Sequence, residues 1–428
     1  MHLPEPRPAS PACIDELVAR LGADRVTLEP ARRHQASRDH AWLSPILDAA
    51  VPDLVADVVV TPRSDEEVAL ALAVAHHHEV AVTSRGRGTG NYGQAVPLAA
   101  GIVLDTTELA GVLDVGDGWI EARAGTSFVR LEAAAREVGQ ELAMFPSTTG
   151  SALGGFLAGG AGGTGSIENG FLWDGFVAEL ELLPCWDRPE PIVVAGATAL
   201  PHLHAYGTTG VVVRARVGLR PARRWVALFA SFDRFDDAVE AGRRLLTVDP
   251  VPRSLSIDDA ALVGLLPPHP AMPAGRVSLR AIVETSTVPE ADVDPAAVAL
   301  LVSLSYNHVT LRAKRVRPEL CHLQVGGPAL VERHDEVRAA VPGSMLHLDA
   351  HAPGGAVGFG GLLLSPFVDA DALYAAIDRL RALDVHVLDP HTWALPGDAA
   401  MVAAAQRFDP LGVLNPGKLP RPTTGSSG

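Results

Sequence analysis

The sequence predicts an α+β protein of two units. The first spans residues 1–224 and the second residues 225–395, and residues 396–420 return to the first. Three observations carry this reading. Short apolar strands alternate with amphipathic helices from Val58 onward. Residues 150–170 hold nine glycines in 21 positions, a density whose conformational cost demands close backbone approach. Pro221 and the basic pair Arg223-Arg224 then interrupt the pattern, and strands and helices alternate again beyond them.

The chain has 428 residues, 47% of them hydrophobic, which suits a large core and excludes global disorder. Lys plus Arg number 35 against 50 Asp plus Glu, a net charge of −15. That balance argues against nucleic acid or an anionic membrane surface as partner, since both call for a basic patch. Cys13, Cys185 and Cys321 are odd in number and far apart, which fits neither a disulfide framework nor a zinc knuckle. The N-terminus lacks a basic and then apolar leader, and no apolar run approaches the ~18 residues of a membrane span. The expectation is a soluble cytoplasmic protein with a flexible tail at 421–428 and an oligomeric state that the sequence leaves open.

Taken in order, Ile14, Leu17, Val18 and Leu21 repeat at helical spacing, whereas residues 31–50 show no clear period. Val58-Val59-Val60 is a strand stopped by Pro62. Ser64 caps the helix that follows, with Glu67 as capping-box partner, and the helix runs to His77. His76-His77-His78 suits a solvated last turn, where positive character complements the dipole. Strands are predicted at 80–83, 102–105, 119–122, 176–183 and 211–219, with a helix at 127–138. In the second unit, strands are predicted at 226–229, 277–283, 300–312, 360–364 and 385–388. Helices are predicted at 235–246, 329–340 and 369–382.

The segment Gly88-Thr89-Gly90-Asn91-Tyr92-Gly93 satisfies G-x-G-x-x-G, but its context is wrong for a nicotinamide-dinucleotide loop. Pro97 would break the required helix, and Asp105 arrives too early. The run Ser84-Arg85-Gly86-Arg87-Gly88-Thr89-Gly90 still offers unhindered consecutive N–H groups, able to curl into an anion nest for a pyrophosphate. A hairpin turn would need two such residues, not four glycines in eight positions.

From Pro62 through Ser84 to Pro97 the chain resembles the pyrophosphate loop of the PCMH-type flavin domain, shared by vanillyl-alcohol oxidase and FAD-linked 2-hydroxy-acid dehydrogenases. Four further stretches agree in order. They are Ala124-Gly125-Thr126, Pro146-Ser147 with Gly154-Gly155 and Gly162 to Ser166, Tyr206 to Val212, and Phe408-Asp409-Pro410 to Asn415-Pro416-Gly417-Lys418. The likeness covers 50–222 and 405–420 well and the middle weakly. It implies two α+β subdomains clasping extended FAD, plus a cap built on an antiparallel sheet. The residues it implies for FAD are Arg85, Gly86, Arg87, Gly88, Thr89, Gly90, Asn91, Tyr92 and Gln94 from the first loop. Pro146, Ser147, Thr148, Gly154, Gly155, Gly162, Thr164 and Gly165 come from the second segment, and Gly210, Val211, Val212 and Asn415 from the last two. Relatives that hold flavin covalently carry a histidine where Thr89 stands or a cysteine after Pro146. Residues 147–170 contain no cysteine, so dissociable FAD is expected.

The flavin would supply the redox chemistry, and the cap would supply the groups specific to the substrate. Read as a strand, residues 304–314 put Tyr306, His308, Thr310, Arg312 and Lys314 on one face. A phenol, an imidazole and cations suit an active-site wall, with His308 as base and Arg312 or Lys314 clamping a carboxylate. His391, after Pro390 at a strand end, is a second candidate base. His347, Asp349 and His351 share one face of a strand. That trio could suit a metal, yet a polar strand face is the simpler reading, and no metal is assigned. Cys185 and Cys321 are expected only to pack.

These residues point to an FAD-dependent oxidoreductase. A C–H next to a hydroxyl or amine of a small molecule, with or without a carboxylate, would give hydride to flavin N5. Oxygen or an electron carrier would then accept the electrons. The alternatives are a metal-assisted D-2-hydroxy-acid dehydrogenase and a non-catalytic flavin-binding subunit of a larger complex.

Overall fold

The computed structural model describes residues 3–51, 53–290 and 293–420; the tail at 421–428 lies outside the described residues. Three sheets organise the chain. In the first, Val58–Val60, Ile102–Asp105 and Val82–Arg85 pair in parallel, and Val26–Thr27 adds an antiparallel edge. Val58, Val60, Ile102 and Leu104 are fully buried, as a parallel sheet covered on both faces requires. The second sheet is antiparallel around the long strand Val211–Pro221, which is flanked by Trp119–Arg123 and Val177–Leu183. Its short members at Val112–Gly116, Gln140–Leu142 and Ile192–Ala195 carry little sequence signal and were not expected.

The third sheet has seven strands, all antiparallel. Its order is Trp225–Phe232, Val277–Glu284, Ser254–Asp258, Met345–His351, Gly358–Pro366, Leu320–Gly326 and His386–Leu388. The period of two divides its faces. Leu255, Ile257, Leu279, Ala281, Leu323, Leu346, Leu348 and Leu363 form a core with Phe235, Val239, Val337, Ile377 and Leu380 of the covering helices. The opposite face carries Asp258, Arg280, Gln324, His347 and Asp349, and it is this polar face that contributes to the site.

The helix Asp65–His77 begins as expected: the Ser64 hydroxyl accepts from the Glu67 N–H at 3.2 Å. The reciprocal arm differs, because the Glu67 carboxylate accepts from the Arg63 N–H at 2.6 Å and from the Arg25 guanidinium. The expected strand at 300–312 is not formed. Two helices stand there, Pro295–Val302 and His308–Val316, joined by a turn in which Tyr306 has φ +51°. Val309, Thr310, Ala313 and Lys314 are the buried set, which is helical spacing. Thr310 and Lys314 therefore face inward, and the Lys314 ammonium donates to the Leu320 carbonyl at 2.6 Å. Neither stands on a shared wall with His308. Residues 153–159 also form a short helix inside the glycine-rich segment.

The C-terminal segment docks against the first sheet. Val82 N–H donates to the Val413 carbonyl at 2.8 Å, and Asn415 N–H donates to the Val82 carbonyl at 2.7 Å. No helix among the described residues is long and apolar enough to cross a membrane.

Candidate functional site: a glycine cradle facing a polar sheet

Three loops converge on one cavity of about 1040 Å³. The first is Ser84–Tyr92, which leaves the parallel strand Val82–Arg85. Gly88 within it and Gly93 just after it hold φ of +66° and +71°, a region that β-carbons resist. The second runs from Pro146 to Gly162. A β-carbon on Gly86 would lie 2.8 Å from the Ala152 methyl and 3.6 Å from the Gly155 α-carbon, so the two loops touch backbone to backbone. A hydroxyl chain joins them: Thr89 Oγ1 is 2.7 Å from Ser151 Oγ, which donates to Thr148 Oγ1 at 2.6 Å. The third loop brings Tyr206, Gly207, Gly210, Val211 and Val212 to the same wall.

Of the residues expected to hold FAD, Arg85 to Tyr92, Gln94, Pro146, Ser147, Thr148, Gly154, Gly155, Gly162, Gly210, Val211 and Val212 all line this cavity. Thr164, Gly165 and Asn415 do not. Gly165 donates its N–H to the Arg253 carbonyl. Asn415 acts from behind, its side-chain amide donating to the carbonyls of Gln94 at 2.9 Å and Tyr206 at 2.7 Å. Lys418 is fully buried and donates to the Gly93 carbonyl, and burial pulls its ammonium down to about 7. The Arg85 guanidinium folds over its own loop, donating to the Gly86 carbonyl at 3.2 Å and to the Gln35 and Ala36 carbonyls.

The opposite wall belongs to the seven-stranded sheet and the turn before His308. Tyr306 donates its hydroxyl to the Gly163 carbonyl at 2.7 Å, crossing from the turn to the second glycine segment. Tyr92 reaches the other way, accepting from Asn307 Nδ2 at 3.0 Å and from the Gln324 amide. Burial pushes the Tyr92 phenol up to about 12, so it stays protonated. His308 opens its helix on the cavity wall. Burial, helped by Arg312 and His40, pulls its imidazole down to about 4, and Nδ1 is buried with no hydrogen-bond partner. It is neutral at pH 7.

Two candidate residues stand elsewhere. Arg312 lies one helical turn beyond His308 and does not line the cavity. Among the lining residues from 225 to 395 there is no Lys or Arg; the lining arginines, Arg85 and Arg87, stand on the glycine-loop side. His391 is also off the cavity, 1% exposed. Its Nε2–H donates to the His322 carbonyl at 3.1 Å, and Nδ1 accepts from the Ser44 hydroxyl at 2.7 Å. Both nitrogens are occupied, so His391 is a structural tie and not a base. His347 stands on the polar face of its strand, where it lies fully buried between Asp258 and Asp349. Among the described residues, the grouping that could ligate a metal is Glu16, His77 and His78, where two helices meet outside the cavity.

Sequence reasoning missed His40, Gln324 and the aromatic pair Phe171 and Trp173, and it weighed His351 only as one of a trio that could suit a metal; all of these line the cavity. His351 lies against Phe171, ring centroids 5.1 Å apart, and Phe171 meets Trp173 edge-on at 5.4 Å. The strand reading did put His351 on the face of Asp349. Nothing in the aperiodic stretch 31–50 marks His40.

The cavity fits a flavin dinucleotide. Its volume is at the top of the roughly 300–1,000 Å³ usual for small-molecule sites, and its floor is built of glycines at several of which a β-carbon would collide with neighbouring protein atoms. Comparisons agree. Residues 56–183 match the family model described as FAD binding domain. A D-lactate dehydrogenase from Archaeoglobus fulgidus is 30% identical over 205 residues, 44% of this chain and 45% of that protein. An uncharacterized FAD-linked oxidoreductase of Mycobacterium tuberculosis is 26% identical over 215 residues, 48% of this chain and 47% of that protein. The matches thus span less than half the length of these curated relatives. The solved structure of alkyldihydroxyacetonephosphate synthase superposes over 97% of this chain and 87% of that one, at TM-score 0.72 and 17% identity, a likeness of fold. The cradle and the family match fall on the same segment: residues 56–183 are similar to the FAD binding domain family, and they contribute the first two glycine loops of the cavity.

Proposed function

We propose that the protein is an FAD-dependent oxidoreductase acting on a C–H beside a hydroxyl or amine of a small molecule. The observation that carries this reading is His308. A neutral imidazole on the cavity wall stands across from a glycine cradle suited to FAD. FAD, when bound, supplies the two-electron acceptor that takes the hydride. His308 takes the proton from the substrate hydroxyl or amine as the C–H bond breaks. Tyr306 and Asn307 brace the wall around it through their bonds to Gly163 and Tyr92. Phe171, Trp173 and Phe359 give the substrate an apolar contact and keep water from the reacting carbon.

The Archaeoglobus fulgidus relative supports a 2-hydroxy acid as substrate. The absence of Lys or Arg on the lining of the seven-stranded side favours an alcohol or amine without a carboxylate. Anaerobic mixing of the FAD-loaded protein with simple alcohols, amines and D-2-hydroxy acids decides between them, read as bleaching of the flavin absorbance. Bleaching by neutral alcohols or amines is expected. Failure of the whole panel would overturn the enzyme reading and leave a flavin-binding subunit.

A further inference from the structure

Four ionisable side chains run in file beneath the cavity. Arg280 donates to Asp258 through Nη2, and Asp258 Oδ1 lies 2.7 Å from His347 Nδ1. His347 Nε2 lies 2.9 Å from Asp349 Oδ2, and Ser256 and Ser278 donate to the two carboxylates at 2.6 and 3.0 Å. None is more than 5% exposed. Burial alone would pull the His347 imidazole down, but Asp349 and Asp258 on either side hold it up at about 9. The file is thus cation, anion, cation, anion, and neutral in sum.

Such a file adds little stability that apolar residues of similar size would not give, because each ion must first be stripped of water. What sets it apart is where its ends reach. Arg280 Nη1 donates to the Leu304 carbonyl at 2.7 Å, and Asp349 Oδ2 accepts from the Tyr306 N–H at 2.9 Å. The two ends grip the same turn, two residues apart, just ahead of His308. That turn needs a grip. Tyr306 sits at φ +51°, a left-handed conformation that a tyrosine adopts only under constraint. Its hydroxyl must meanwhile meet Gly163, and Asn307 must meet Tyr92. Asp349 itself lines the cavity that His308 lines, and it bonds the backbone two residues ahead of that histidine.

We propose that Asp349 and His347 are positioning residues, which lock the Leu304–Tyr306 turn and so fix His308 against the cavity. The proposal rests on His308 as the base, and the two can fail separately. The test compares Asp349→Ala with wild type in the full-length FAD-loaded protein. The first readout is amide hydrogen exchange in the peptide covering 303–309. The second is the rate of anaerobic flavin reduction by whichever alcohol bleaches the wild-type flavin.

Asp349→Ala is expected to raise exchange in that peptide about tenfold or more while the protein stays folded and yellow. It is expected to slow flavin reduction by about 10²-fold, the usual cost of an ångström-scale misplacement. Asp349→Asn should restore protection, because its carboxamide oxygen can still accept the Tyr306 N–H while its amide donates to Ser256. Combining Asp349→Ala with His308→Ala should slow reduction no further than His308→Ala alone. Unchanged exchange, or additive losses in the double variant, would overturn the proposal. If His308→Ala reduces as fast as wild type, the base assignment falls, and exchange alone judges the grip. Should Asp349→Ala fail to fold, His347→Gln breaks the same file one link away and is read the same way.

Discussion

Gly86 and Gly155 meet without side chains between them: a β-carbon on Gly86 would stand 3.6 Å from the Gly155 α-carbon and closer still to Ala152. The two glycine loops are thereby one surface, although 69 positions separate these residues in sequence. Gly86→Val should pry them apart, since a β-branched side chain has no room and few rotamers with which to escape. FAD affinity, followed by flavin fluorescence on titration, is expected to fall by about 100-fold or more while circular dichroism stays near wild type. Wild-type affinity in the folded variant would mean that the cradle does not hold the dinucleotide.

His308→Ala should leave the protein yellow and slow flavin reduction by roughly 10²- to 10⁴-fold, the range expected for loss of a general base. The same single-turnover experiment on His391→Ala should show little change in rate. That variant instead strands the Ser44 hydroxyl and the His322 carbonyl in a buried site, at a cost of about 1–3 kcal/mol seen in denaturant unfolding.

The contrast between these histidines shows what could be read from sequence. The glycine loops were legible because loops that approach one another and their neighbours backbone to backbone exclude side chains, and that exclusion is written in composition. The start at Ser64 was legible because capping is local. The region 300–312 was not. Tyr306, His308, Thr310, Arg312 and Lys314 alternate with apolar residues, and the helix that forms there buries a threonine and a lysine, which hides its true period. His391 looked catalytic at a strand end, and only the tertiary fold brings Ser44 to it, from 347 positions away. His40 gave no signal, since its place depends on a backbone bond to Gly90 across the two segments.

Burial holds His308 at about 4, so the fraction of neutral base falls only in strong acid. The rate of flavin reduction is therefore expected to stay level from about pH 8 down to about 5, then fall as pH drops through about 4. A stopped-flow pH series measures this. A midpoint near 6.5, the ordinary value for histidine, would place the base in water and not in this pocket.

His347 titrates in the opposite direction. Its folded value of about 9 lies above the unfolded value of about 6.5, so its stabilisation is complete below about 6.5 and is lost as pH rises through about 9. Thermal unfolding should show a fall in Tm across that window in the wild type. The fall should be smaller in His347→Asn, whose side chain does not titrate.

No candidate for covalent flavin occurs in the first loop, where the Thr89 hydroxyl is instead hydrogen-bonded to Ser151. Acid precipitation is expected to release all FAD into the supernatant. A yellow pellet, or a chain mass raised by one FAD in denaturing mass spectrometry, would contradict this.

The docking of Val413, Leu414 and Asn415 beside Val82 has a consequence for synthesis. The strand that launches the first glycine loop gains its outer neighbour only from residues made some 330 positions later. On the ribosome, the loops at 84–92 and 146–162 would emerge early and wait, their edge uncovered and Gln94 and Tyr206 lacking the Asn415 amide. The nascent chain thus has both glycine loops long before it has a closed site, and on the proposed reading flavin capture belongs to the last moments of translation or after release. Chains stopped before residue 413 would be apo however intact their glycine motifs, and they would present a bare strand edge to their neighbours.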